Sequence, residues 1–228
     1  MHEGHRDRVK KRFRQEGLDH FSDIQALELL LFYGIPRVDT NPIAHALLDR
    51  FGSLSQVLEA SPEELVKVPG VGENAALLLT LIPQMGRFYM VDRSSRVTIL
   101  QTLEQCADFL VPHFFGRKVE TVFILCLDAK CKLLCCKELG EGGPNSTGVS
   151  IRKIVETAIG VNAATVVLAH NHPSGLAVPS AEDIQTTRRI AHALQAVEIT
   201  LADHIIVADG DYVSIAMSDD RFRDCLLI

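Results

Sequence analysis

No stretch of the 228-residue sequence reaches the ~18 consecutive apolar residues that a membrane-spanning helix needs. The first fourteen residues are polar and basic and lack the apolar centre of a secretory signal, so a cytoplasmic protein is expected. There is no excess of positive charge. The formal net charge is −6, which excludes binding of polyanions by bulk attraction and leaves only local patches for nucleic acid. No Cys-x-x-Cys occurs among Cys106, Cys126, Cys131, Cys135, Cys136 and Cys225. In a reducing compartment these read as small apolar residues. Cys131, Cys135 and Cys136 cluster, which leaves a structural metal open, although no further ligand pair lies near them in sequence. Low-complexity segments are absent. What remains is ordinary for a soluble globular protein, with 47% hydrophobic and 23% charged residues, and the length suits two domains.

The two halves differ in periodicity. Residues 22–90 read as helices, with no strand pattern. Ala26–Phe32 is an apolar helical segment. Asn41 is expected as an N-cap with Pro42 at the first helical position, followed by Ile43, Ala46, Leu47 and Phe51 at helical spacing. Ser53 opens a short helix through Leu58. Ser61-Pro62-Glu63-Glu64 predicts another helix start, Ser61 capping and Glu64 completing a capping box. In the second half, Thr121–Leu127 and Lys132–Cys136 read as strands around a polar turn. Val149–Ile159 reads as a helix, Ala164–Ala169 as a buried strand and Ser180–Ala196 as a helix. Ile205–Val207 and Tyr212–Ser214 flank Asp209-Gly210-Asp211, a hairpin signal. A polar linker is expected at Asp92–Arg96, giving a helical domain over residues 1–92 and an α/β domain over residues 97–228.

The chemistry concentrates at His170-Asn171-His172-Pro173 and Pro179-Ser180-Ala181-Glu182-Asp183. In extended backbone, residues two apart point the same way, so His170 and His172 can face one point. Pro173 favours that extension at His172. Asp183 lies three residues into the helix that Ser180 opens. Two histidines and one carboxylate leave a fourth tetrahedral position open, the arrangement of a catalytic rather than a structural zinc. Such an ion activates water. Hydrolysis then also needs a carboxylate to take a proton and a donor for the oxyanion, for which Ser180 is a candidate. Ser180-x-x-Asp183 equally reads as a plain helix cap.

The ordered set His170-x-His172-Pro173, a short spacer and Ser180-x-x-Asp183 resembles the JAMM/MPN metalloenzyme signature. More narrowly, His170-Asn171-His172-Pro173-Ser174-Gly175 with Pro179-Ser180, and then Asp203-His204-Ile205-Ile206-Val207, looks like the bacterial RadC family. That family couples a helix-hairpin-helix region to a JAMM-like domain, and the resemblance runs roughly from Phe21 to Ser214. It implies an α/β (α+β) JAMM/MPN-like C-terminal domain behind an all-α N-terminal domain. It also implies Zn2+ held by His170, His172 and Asp183, with a glutamate just before the domain's first strand as general base. That position is Glu120, 50 residues before His170, so no spacing argument could select it. Glu138, Glu141 and Glu156 are the alternatives. Where the family favours Gly-Thr-x-Asn and Pro-Arg-Glu, this chain has Gly142-Gly143-Pro144-Asn145 and Ile151-Arg152-Lys153, so substrate contacts near that loop should differ. His204 reads either as a residue orienting a ligand or as a plain buried histidine.

Val68-Pro69-Gly70-Val71-Gly72-Glu73-Asn74-Ala75 resembles the helix-hairpin-helix turn. In such a turn Gly70 and Gly72 let the backbone bend tightly, and the amides opening the next helix can hold a phosphate. Lys67 is the nearby cation. Contacts of this kind read no bases and are salt-sensitive. A compact αα-hairpin has the same appearance. Gly34-Ile35-Pro36 to Ile43 reads as a degenerate second hairpin lacking its second glycine. Arg6, Arg8, Lys10, Lys11, Arg12 and Arg14 form either a nucleic-acid arm, a solvated helix start or a mobile tail. Three functions are therefore carried forward: a zinc metallopeptidase or isopeptidase, as JAMM relatives imply; a DNA-associated metal-dependent nuclease or repair protein; and a non-catalytic DNA-binding scaffold. The partners expected are a peptide or isopeptide substrate and DNA through the hairpin, with no membrane.

Overall fold

The protein is described here as a computed structural model covering residues 3–94, 99–144 and 149–218. The chain divides into two compact units, Met1–Gly86 and Arg87–Ile228. Among the described residues no helix is long and apolar enough to cross a membrane.

The first unit is helical: α1 (Glu3–Glu16), α2 (Asp23–Gly34), α3 (Asn41–Phe51), α4 (Leu54–Glu59), α5 (Pro62–Leu65) and the start of α6 (Glu73–Ser94). Leu27 and Leu31 of α2, Ile43 and Leu47 of α3, and Ala75 and Leu79 of α6 belong to one buried apolar cluster with Val57, Leu65 and Val68. Ser22 opens α2 with a reciprocal capping box to Gln25. The cap of α3 is Thr40 rather than the expected Asn41, which is the first residue of the helix and whose amide donates to Asp39 Oδ1 at 3.1 Å. Ser61 caps α5 as expected, but Glu64 does not close the box. Its carboxylate turns to Arg50, at 2.8 Å, and to Lys67. The basic start of the chain is no tail. Arg6 in α1 donates to the Phe32, Ile35 and Val38 carbonyls at the C-terminal end of α2, where a cation opposes the helix dipole. Arg12 donates to the His20 carbonyl at 2.5 Å.

The expected linker falls partly inside α6, which continues through Ser94. Ser95 and Arg96 lie outside the described residues.

The second unit holds α7 (Leu103–Leu110), a short 3-10 turn (Val111–Phe114), β1 (Thr121–Leu127), β2 (Leu133–Glu141), α8 (Ile151–Gly160), β3 (Thr165–Asn171), α9 (Ala181–Gln195), β4 (Thr200–Ala208), β5 (Asp211–Ser214) and α10 (Ile215–Ser218). The sheet order is β2-β1-β3-β4-β5. Only β3 and β4 run parallel, joined through α9 as a βαβ crossover. Alternation along β1 and β3 splits the core. Val122, Ile124, Val166 and Leu168 pack with α8 and α9 residues such as Ile154 and Ile190. Phe123, Leu125, Val167 and Ala169 pack with α7 residues such as Phe109 and Leu110. The result is a sheet covered on both faces, an α/β domain as expected. Asp209 and Gly210 both take positive φ, as a two-residue hairpin turn requires.

The cysteine cluster does not form a metal site. Cys135 packs with the α8 and α9 side of the sheet, whereas Cys136 packs with the α7 side and lies 3.9 Å from His113 Nε2. Adjacent strand residues face opposite ways, so their thiols cannot share an ion. Cys225 lies outside the described residues.

Candidate metal centre

The buried strand extends further than its apolar run suggests, and both His170 and Asn171 belong to β3. His170 follows Val166 and Leu168 on the face covered by α8 and α9. The backbone remains extended past the strand, since the His172 amide donates to the Val207 carbonyl at 2.8 Å. Ser180 caps α9. Its amide and hydroxyl donate to Asp183 Oδ2 at 2.8 and 2.6 Å, and its Oγ accepts the Asp183 amide at 3.1 Å. The cap and the ligand reading of Ser180-x-x-Asp183 therefore coexist: the cap occupies Oδ2, and Oδ1 faces His170.

His170 Nε2 lies 2.9 Å from His172 Nε2 and 3.2 Å from Asp183 Oδ1, and His172 Nε2 lies 3.5 Å from Asp183 Oδ2. Donors on a tetrahedral ion with bonds of ~2.0–2.1 Å stand about 3.3 Å apart. His170 Nε2 thus stands within about 0.4 Å of that spacing from both His172 Nε2 and Asp183 Oδ1. Among the described residues no other group of histidine, cysteine and acidic side chains could hold a metal. Burial works against ionisation of Asp183, but the neighbouring His170 and the hydroxyl and amide of Ser180 overcome it and hold the carboxyl well below its usual range. Asp183 is accordingly an anion at neutral pH, the form a metal requires.

Behind these three side chains lies a polar chain that is wholly buried. His170 Nδ1 is 2.8 Å from His204 Nε2, and His204 Nδ1 is 2.6 Å from Thr187 Oγ1. Thr187 Oγ1 in turn donates to the Asp183 carbonyl at 2.6 Å. Burial, and then the neighbouring His170, push the His204 pKa well below its ordinary value, so the ring is neutral.

Glu120 sits at the entrance to β1 and shares a cavity of about 480 Å³ with Gly143, Pro144, His172, Ser174, Ser180, Glu182, Asp183 and Thr186. The cavity thus brings Glu120 to the same wall as two of the ligands. The three alternative glutamates, Glu138, Glu141 and Glu156, are not among its lining residues. Glu138 pairs with Arg117 at 2.7 Å, Glu156 pairs with Arg152 at 2.7 Å, and Glu141 ends β2. Gly143 comes so close that a Cβ there would stand 2.8 Å from Glu120 Oε2. Gly143 and Pro144, the residues that depart from the family pattern, are therefore cavity wall, whereas Asn145 lies outside the described residues. Ser180 lines the cavity, and its hydroxyl donates to Asp183 Oδ2.

Sequence reasoning passed over Asn171. Its Oδ1 accepts the Thr121 amide at 2.8 Å and its Nδ2 donates to the Val119 carbonyl at 3.2 Å, clamping both neighbours of Glu120. Strand alternation was the available signal, since a residue between two ligands points to the opposite side. Thr187 was also missed, although it lies one helical turn beyond Asp183 and so on the same face.

In the helical unit, Gly70 has φ +89°, and a Cβ there would meet Ile43 Cδ1 at 2.8 Å. Gly72 has nothing within 4 Å of its Cβ position and no positive φ, so only the first glycine of the hairpin is demanded by the turn. Lys67 is ion-paired with Glu64, and Glu73 stands in the first turn of α6.

Comparison with known families agrees with this architecture. A family described as "RadC-like JAB domain" matches residues 100–220, and one described as "UPF0758 N-terminal" matches residues 3–77. A UPF0758 protein of Fusobacterium nucleatum is 33% identical over 219 residues, covering 93% of this chain and 94% of the relative. A UPF0758 protein of Paraburkholderia xenovorans is 33% identical over 210 residues, covering 92% of this chain and 83% of the relative.

Proposed function

The chain belongs to the RadC-like JAB domain family, and from that premise we propose that it is a zinc-dependent hydrolase of amide bonds, a metallopeptidase or isopeptidase. The observation that carries the reading is the convergence of His170, His172 and Asp183 within 4.8 Å of one another, with Asp183 on the wall of a cavity that Glu120 also lines. His170 Nε2, His172 Nε2 and Asp183 Oδ1 would hold the ion. When bound, zinc supplies Lewis acidity that polarises a carbonyl and acidifies water. Glu120 is the candidate base that accepts the water's proton at its carboxylate and returns it to the leaving amine. Ser180 fixes Asp183 through its amide and hydroxyl.

Charge favours an amide over a phosphodiester. Among the described residues the cavity wall carries the carboxylates of Glu120, Glu182 and Asp183 and no Lys or Arg, so even with zinc offsetting Asp183 a phosphate anion would meet Glu120 and Glu182. The DNA readings draw less support, because Lys67 is engaged by Glu64 beside the hairpin and Glu73 adds negative charge there.

The test begins with bound metal, measured by elemental mass spectrometry on wild type and His172→Ala. We expect near one zinc per wild-type chain and loss in the variant. The zinc-loaded protein is then screened on peptide and isopeptide libraries. Glu120→Gln should keep its zinc and lose ~10²-fold or more in hydrolysis, the scale of general acid–base catalysis. A Glu120→Gln protein that hydrolyses as fast as wild type would remove Glu120 from the mechanism. Cleavage of DNA that depends on both zinc and Glu120 would replace the amide reading with the nuclease one.

A further inference from the structure

We infer that Thr187 and His204 form a positioning relay that fixes the ring proton of His170 on Nδ1, leaving Nε2 as the donor to the metal; this rests on the reading of His170 as a ligand. Thr187 has one hydroxyl proton. Its Oγ1 lies 2.6 Å from the Asp183 carbonyl oxygen, which can only accept, so the proton goes there. Toward His204 Nδ1, also 2.6 Å away, Oγ1 then presents a lone pair, and Nδ1 must carry the hydrogen. His204 is wholly buried and its two ring nitrogens meet a hydroxyl and another imidazole rather than a carboxylate, so it carries a single N–H, which makes Nε2 an acceptor. The group opposite it, at 2.8 Å, is His170 Nδ1, which therefore carries the His170 proton. His170 Nε2 keeps its lone pair and faces His172 and Asp183.

Each ligand imidazole thus has its proton placed differently. His172 Nδ1 faces the Leu176 carbonyl oxygen at 3.1 Å, an acceptor that admits no alternative. The partner of His170 is another histidine, which could donate or accept, and only the Thr187 hydroxyl decides which. The wrong tautomer of His204 would donate to His170 Nδ1 and move the His170 proton onto the nitrogen that should bind the ion.

The fold places His204 there by a break in register. Leu201 packs with the α8 and α9 side of the sheet, and strict alternation would put Asp203 and Ile205 on that side. The ladder between β3 and β4 instead slips between Leu201 and Asp203, so Ile205 joins the opposite core and His204 pairs with Leu168 on the ligand face. The relay also ties the two ligand-bearing elements together, since Thr187 touches the backbone of Asp183 on α9 while His204 on β4 touches His170 on β3.

The experiment compares full-length wild type, Thr187→Val and Thr187→Ser. Valine keeps the shape of threonine without the hydroxyl, and serine restores the hydroxyl. Zinc affinity is read by competition with a chromophoric chelator. Thr187→Val should bind zinc about 10-fold or more weakly, within the 10–100-fold range for partners behind metal ligands, and Thr187→Ser should stay within about 3-fold of wild type. The tautomer is read separately, by nitrogen-15 NMR of the imidazoles in chelator-treated protein. Wild-type His204 should be the Nδ1–H form, and Thr187→Val should show the Nε2–H form as well. An Nε2–H His204 in wild type, or unchanged zinc affinity in a folded Thr187→Val, would overturn the relay. If Thr187→Val does not fold, the wild-type spectrum and the serine variant still decide. A wild type that takes up no zinc but shows Nδ1–H at His204 would sink the metallohydrolase reading and leave the proton placement standing.

Discussion

Asn171 stands between the two imidazoles in sequence and serves the other half of the site. Its amide holds the main chain on both sides of Glu120, and the Gly142 amide donates to the Glu120 carbonyl at 2.7 Å. The main chain at the proposed base is therefore fixed from β3 and from the end of β2. Asn171→Ala leaves the buried Thr121 amide without its side-chain acceptor, a loss of about 1–3 kcal/mol in stability. We expect hydrolysis to fall about 10-fold or more while the zinc content stays at the wild-type level, because the Asn171 side chain is hydrogen-bonded to the main chain at Val119 and Thr121 and to none of the three proposed ligands. Parallel assays of turnover and metal check this, and loss of zinc together with activity would show that the clamp serves the ligands instead.

At the scale of elements, the hairpin before α6 separates two uses of glycine. Gly70 combines a positive φ with contact against Ile43 of α3, so Gly70→Ala strains the turn and overpacks the core together. We expect a loss of about 1–3 kcal/mol in stability for Gly70→Ala. For Gly72→Ala the change should stay within about 0.5 kcal/mol, because that position meets nothing. Urea unfolding of both variants measures the contrast, and equal losses would mean that the turn needs both glycines. The slip in β4 is the corresponding device in the sheet. By shifting the alternation one residue it turns His204, rather than Asp203, toward the ligands. Asp203 is then used on the backbone, accepting the His204 and Ala216 amides at 2.7 and 3.0 Å.

For the whole molecule, every group proposed to touch the metal or to orient a ligand comes from β3, α9 and β4 or the loops beside them. Together the two apolar clusters that hold those elements span Leu100 to Ile215. A chain of residues 97–228 should consequently fold alone and take up zinc with the stoichiometry of the full protein. Circular dichroism and elemental analysis of that fragment test this, and a folded fragment without zinc would show that the helical unit contributes to the centre. The helical unit has its own closed core and its own use for its basic residues. Arg6 and Arg12 donate to backbone carbonyls, so two of the six basic side chains in the first fourteen residues use part of their donor capacity within the fold.

Local chemistry alone was enough for much of this. The helix starts at Ser53, Ser61 and Ser180 follow from side-chain oxygens capping backbone amides, and the buried strand before His170 follows from its β-branched run. The pairing of His170 with His172 follows from the period of extended backbone, and Asp183 from its place in the first turn of a capped helix. Glu120 was reached only through resemblance, because a residue 50 positions away comes to the cavity it shares with His172 and Asp183 through β1 pairing with β3, which no local pattern encodes. Asn171, Thr187 and the orientation of His204 were left to the tertiary structure for the same reason. Each acts through a hydrogen bond to a different element, and the β4 slip that aims His204 is set by pairing across the sheet, not by the order of residues along the strand.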